Sequence, residues 1–148
     1  MMRNAWKEAA SMMAAIWIGL ILGVSFYATP IKFAAERVSY EQLLLVGQIT
    51  FKGFVWVEFC TFALLSIASW GKFTRQIVVG LSTLLIMLII QKFIVLPNFN
   101  VILDQTVAGK PTEKNNLHFI FGTIEVLKVI LLFFLYLFLR QEKPSKQV

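Results

Sequence analysis

The chain has 148 residues, 58% hydrophobic and 15% charged, with a formal net charge of +6. Soluble domains average about 45–50% apolar and ~25% charged, so this composition lacks the polar surface to cover a water-soluble globule and suits a chain whose solvent is lipid. The basic residues lie beside and between apolar runs and form no basic stripe, which argues against nucleic acid as a partner and assigns the charge to membrane orientation.

The expected fold is all-α: an integral membrane four-helix bundle forming a single transmembrane domain over residues 1–148, with spans near 13–33, 43–69, 76–96 and 117–139. Each run holds the roughly 20 apolar residues that a helix needs to cross ~30 Å of hydrocarbon.

In the first run, MAAIWIGLILGVSFYATPIKF, Arg3 and Lys7 precede the apolar stretch as they would in a signal peptide. No small-x-small cleavage site follows, however, because Phe26 and Phe33 occupy the positions before Ala28 and Ala35 where a small residue is needed, so the span is read as uncleaved. Gly19 and Gly23 form a GxxxG face suited to close packing, the candidate contact of a homo-oligomer. The second run contains Cys60, read as a small hydrophobe. A short turn around Gly71 makes the second and third runs antiparallel neighbours. The third run shows almost no polar stripe. Beyond Pro97, the positions Phe99, Ile102, Leu103, Thr106 and Val107 keep helical spacing until Gly109-Lys110-Pro111. This predicts that the third helix continues, kinked at Pro97, as a short interfacial amphipathic helix between spans three and four, a reading preferred to a gating lid. The fourth run ends at Arg140, and the tail 141–148 is expected to be flexible.

Arg3, Lys7, Lys72, Arg75, Arg140, Lys143 and Lys146 fall on one side of these spans, and Lys32, Arg37, Lys110 and Lys114 on the other. The positive-inside rule then puts both termini in the cytoplasm, in a multi-pass protein of the bacterial inner (plasma) membrane. Trp6, Trp17 and Trp70 fall near the proposed cytoplasmic ends, as in an aromatic belt. The two halves are faintly alike, with Pro30 and Pro97 ending their first helices and Gly47, Lys52 and Glu58 echoed by Gly122, Glu125 and Lys128. That pattern suggests a parallel repeat.

Ionisable residues inside the spans are the candidate site: Lys52 and Glu58 in the second, Glu125 and Lys128 in the fourth. Such a group at mid-bilayer costs about 2.5–3.5 kcal/mol and normally turns inward to a partner. Lys52 and Glu125 lie ~13 and ~12 Å below the outer starts of their helices, which predicts that these two pair. Glu125 and Lys128 share one helix face. Glu58 is deeper, about 120° around the helix from Lys52, and shows no partner. Pro30, Lys92, Pro97 and His118 are possible contributors at the outer end, with Lys92 close enough to the interface to snorkel. His118 is the single histidine; one imidazole falls short of a metal site, so no metal and no cofactor are expected. No nucleotide loop, nucleophile–base set or zinc-ligand pair is present in the sequence, and no enzyme activity is expected.

The segment Phe26-Tyr27-Ala28-Thr29-Pro30-Ile31-Lys32-Phe33 resembles the aromatic-x-x-x-Pro-x-x-Phe segment of the small membrane proteins grouped as domain of unknown function 4149, which are similar to transmembrane protein 205. Leu96-Pro97-Asn98-Phe99, and His118 followed by Glu125 and Lys128, fit the same pattern. The resemblance spans most of the chain through short motifs. It implies four membrane helices, no established reaction, and a distant likeness to copper-resistance and haem-associated four-helix membrane proteins. The single histidine departs from a metal-handling pattern, and the arginines frequent in that family's loops are few here.

The favoured functional reading is a membrane protein that assists movement of a small ion or solute through a polar site inside the bundle. The alternatives are a structural or assembly protein whose buried charges lock helix packing and, further off, a haem- or copper-associated protein. A reporter fused after Lys146 is expected to read as cytoplasmic; periplasmic activity of that fusion would reverse the topology.

Overall fold

The computed structural model describes residues 2–70, 74–109 and 117–140, with side chains described for 8–70, 74–109 and 119–140. Every regular element among them is helical. Helix α1 covers Met2–Ile21 and runs on through a π-helical turn, Leu22–Ala28, and two short turns, Thr29–Ile31 and Lys32–Ala34. Helix α2 covers Tyr40–Ala68, α3 Arg75–Ile90, α4 Leu96–Val107 and α5 Leu117–Arg140.

Local chemistry explains these limits. A capping box starts α2: the Ser39 hydroxyl accepts from the Gln42 N–H, and the Gln42 side chain accepts from the Ser39 N–H. The Thr74 hydroxyl accepts from the Ile77 N–H and starts α3. Both prolines among the described residues, Pro30 and Pro97, lie just beyond a widened turn. Pro30 follows Leu22–Ala28, and Pro97 follows a second π-turn, Gln91–Val95, that joins α3 to α4. A proline has no N–H to return to the carbonyl four residues back, and side chains bond to carbonyls within both turns. Thr29 Oγ1 donates to the Val24 carbonyl at 2.9 Å and Asn98 Nδ2 to the Ile94 carbonyl at 2.8 Å. Helix α4 stops where Gly109 takes a φ of 67°, the left-handed conformation that favours glycine at a helix C-terminus.

Four helical stretches are long and apolar enough to cross a membrane: Glu8–Ala34, Tyr40–Ala68, Arg75–Val107 and Phe119–Arg140. The third continues past Pro97 as one stretch, with a π-turn at Gln91–Val95 just upstream of the proline. The expected turn around Gly71, the Lys110-Pro111 part of the expected helix stop, and the tail 141–148 lie outside the described residues.

The helices alternate in direction and pack in a ring. α1 lies against α2 and α5, and α3 lies against the same two, which sets α2 and α5 at opposite corners. Toward the end holding Pro30 and Pro97, Phe51, Val55, Val95, Leu96 and Phe121 form one apolar layer. There the Phe51 ring stacks tilted on Phe121 at 4.6 Å and edge-on to Phe99 of α4 at 6.0 Å. α4 is further tied to α2 by Gln48 Nε2 donating to Asp104 Oδ1 at 3.1 Å. Toward the other end, a second layer gathers Ala10, Ala14, Leu65, Leu84, Leu132, Leu135 and Leu139. The outward surface is also apolar: Ile49, Phe93 and Phe119 are 71%, 69% and 75% exposed.

The glycines divide by environment. At Gly80 a Cβ would lie 2.6 Å from Leu135 Cδ2, so its bare backbone lets α5 approach α3. Gly19 and Gly23 would meet nothing within 4 Å, and both face away from the bundle. Gly80→Val is therefore expected to destabilise the fold by about 1–3 kcal/mol through overpacking, read as a lower thermal midpoint in detergent. Gly19→Val is expected to leave the monomer within about 0.5 kcal/mol.

Candidate functional site

Between the two apolar layers, all four spans send polar side chains to one point. Lys128 of α5 is at its centre. Its ammonium pairs with Glu58 Oε1 of α2 and, at 3.0 Å, with Glu125 Oε1 one turn back on α5. It also donates to Gln91 Oε1 at 2.8 Å. Gln91, the first residue of the π-turn after α3, donates through Nε2 to Glu125 Oε1 at 2.6 Å. From α1, Trp17 Nε1 donates to Glu58 Oε1 at 3.1 Å. Trp17, Glu58, Gln91, Glu125 and Lys128 each have 0% exposure.

Helical phase puts these residues inside. On α2 the buried positions include Phe51, Val55, Glu58, Thr61 and Leu65, a stripe at three- and four-residue spacing. On α1, Ala10, Ala14, Trp17 and Ile21 do the same. Glu125 and Lys128, three apart, share the inward face of α5. An ammonium has three donors, and all three of Lys128's are used by Glu58, Gln91 and Glu125. Both Oε1 atoms converge on this nitrogen. Glu58 Oε2 and Glu125 Oε2 are buried and meet no hydrogen-bond partner among the described residues.

The expected Lys52–Glu125 pair is not formed. Lys52 is exposed on α2, because six residues at 100° each turn it about 120° away from Glu58. Position along a helix does not fix the face a side chain takes. Glu58, which lacked a partner in the sequence reading, holds the principal one. Trp17, placed in an aromatic belt, is instead an interior donor, and Gln91 went unnoticed. The signals for both were present: Trp17 continues the Ala10–Ala14 stripe, and Gln91 is an amide directly after the apolar run Leu84–Ile90.

The outer-end candidates stay apart from the cluster. Pro30 and Pro97 are exposed beside their π-turns. Lys92 is half-buried with its ammonium 4.6 Å over the Trp56 ring, a cation–π contact. The side chain of His118 lies outside the described residues. Lys32, unremarked in this role, rests against the Gly47 backbone with its ammonium 5.0 Å over Phe33 and 5.8 Å over Phe51. Among the described residues, no group of three or more His, Cys, Asp and Glu side chains is placed to hold a metal ion. An apolar groove of about 210 Å³, lined by Leu22, Phe26, Val126, Val129 and Ile130, opens between α5 and the π-turn after α1, away from the charges.

Comparison with known proteins yields no matching family model, no matching curated protein and no matching solved structure.

Lys128→Met alone strands two buried carboxylates and is expected to cost about 3–5 kcal/mol, measured by unfolding in detergent or bicelles. Adding Glu58→Gln and Glu125→Gln should restore most of that loss. Lys52→Met should change stability by no more than about 0.5 kcal/mol; a loss equal to that of Lys128→Met would contradict the geometry.

Proposed function

We propose that this is a multi-pass membrane protein that assists the movement of a small ion across the bilayer, with the Glu58–Gln91–Glu125–Lys128 cluster as the site the ion visits. One observation carries the reading: two carboxylates share a single ammonium with no exposure, and each keeps one oxygen without a partner among the described residues. Ionisable groups at mid-bilayer are costly and mark ion and proton paths. Within this reading both termini are cytoplasmic, the membrane is the bacterial plasma membrane, and α4 is the amphipathic segment at the outer surface. Gly19 and Gly23 on the outward side of α1 are the contact of a homo-oligomer. The likeness to the domain of unknown function 4149 family rests on its short segments and adds no chemistry to the proposal.

A second reading, a structural clasp, draws on a different observation: all three Lys128 donors are engaged, and every span contributes a side chain. Reconstitution into proteoliposomes separates the two. Glu58→Gln and Glu125→Gln are expected to cut ion flux by an order of magnitude while thermal stability changes little. Unchanged flux in both variants would leave the clasp as the role of the cluster.

A further inference from the structure

The balance of charge in the cluster narrows the identity of the ion. Glu58 and Glu125 bring two negative charges when ionised, and Lys128 brings one positive charge. The groups facing them from the other elements are the Trp17 indole of α1 and the Gln91 amide beyond α3, both uncharged. Among the described residues, nearby cations do not make up the difference. Lys52 is exposed, Lys92 turns onto Trp56, and Lys32 lies against Gly47. An excess charge in a water-excluded interior is disfavoured unless something neutralises it. One further positive charge therefore belongs with this cluster.

Coordination selects which. A metal cation bound by protein oxygens gathers several at once; calcium takes 6–8. Here both Oε1 atoms already converge on the Lys128 ammonium, which occupies the place a metal ion would need. What remains is Glu58 Oε2 and Glu125 Oε2, each buried and without a partner among the described residues. A proton needs one oxygen and no cavity.

We infer that the cluster binds one proton per chain, distributed over the carboxyl groups of Glu58 and Glu125; this rests on the reading of the cluster as the working site and names the ion it takes. Loading forms one O–H bond on a carboxylate oxygen as one O–H bond of a hydronium ion breaks and leaves water, so that ammonium and remaining carboxylate stay as a neutral pair. Release breaks the carboxyl O–H bond and passes the proton to a water molecule, re-forming hydronium. No electron transfer and no other bond is involved.

The inference makes a stoichiometric prediction. Infrared spectra of the full chain in lipid vesicles at neutral pH should show the C=O stretch of one protonated carboxyl per chain, shifted in heavy water. Either Glu58→Gln or Glu125→Gln alone removes the excess charge, so each single variant should lose the band entirely instead of by half. Lys128→Met, where it folds, should show two such groups. A wild-type spectrum without the band, a band untouched by both single variants, or its disappearance on adding sodium or potassium chloride would overturn the inference. Proton flux into the same vesicles, followed with an entrapped pH dye, is a separate readout. The band without flux would sustain the bound proton and refute transport. Sodium or potassium flux without the band would sustain transport and refute the proton.

Discussion

The ammonium of Lys128 sets the arrangement of the whole bundle. It bonds to Glu58 on α2, Gln91 just after α3 and Glu125 on its own helix, while Trp17 of α1 donates to the same Glu58 oxygen. In water, helices are driven together by their apolar faces. In hydrocarbon that force vanishes between helices, because lipid tails are as apolar as leucine. Leu84 and Leu88 are buried here while Ile86 and Ile89 on the same helix are exposed, and hydrophobicity alone offers no reason for that choice. Polar groups that find no partner in lipid provide one. Rotating any span would strand a charge or an amide, so the cluster specifies which face of each helix turns inward.

Diagonal placement gives this constraint its reach. α2 and α5 occupy opposite corners, yet Glu58 and Lys128 meet because both side chains are long and point to the axis. The bond thus crosses the centre of the bundle. Apolar layers lie on either side, Phe51, Val55, Val95, Leu96 and Phe121 toward the proline end and Leu65, Leu84, Leu132 and Leu135 toward the other. They keep the local dielectric low, which strengthens each bond made and raises the cost of each bond lost.

Much of this architecture was legible in the sequence, for specific reasons. Span length and apolarity are set by bilayer thickness, a constraint each segment meets alone. Four helices long and apolar enough to cross follow from that, and so does the inward placement of Glu58, Glu125 and Lys128. The partners of those residues were not legible. Pairing Lys52 with Glu125 used the rise per residue, a property of single helices, whereas the true partner depends on how each helix is rotated and where it stands in the ring. Neither quantity belongs to one segment. Trp17 was misplaced for a related reason: tryptophan suits a membrane interface and an interior hydrogen bond equally well, and only its neighbours on α1 distinguish the two. Gln91 carries no charge and so raised no question of cost, although an amide at that depth needs partners as a lysine does.

The π-turn at Gln91–Val95 makes chain length itself part of the specification. Such a turn is an α-turn with one residue added. Taking that residue out would return Arg75–Val107 to an unbroken α-helix and swing everything after it by about 100°. Asp104 would leave Gln48, and Phe99 would leave Phe51. Gln91 sits at the first position of the turn, so the register that aims α4 and the register that delivers an amide to Lys128 are counted from the same residue. Insertions and deletions in this helix are therefore changes of angle as much as of length, felt both in the charged centre and at the proline end.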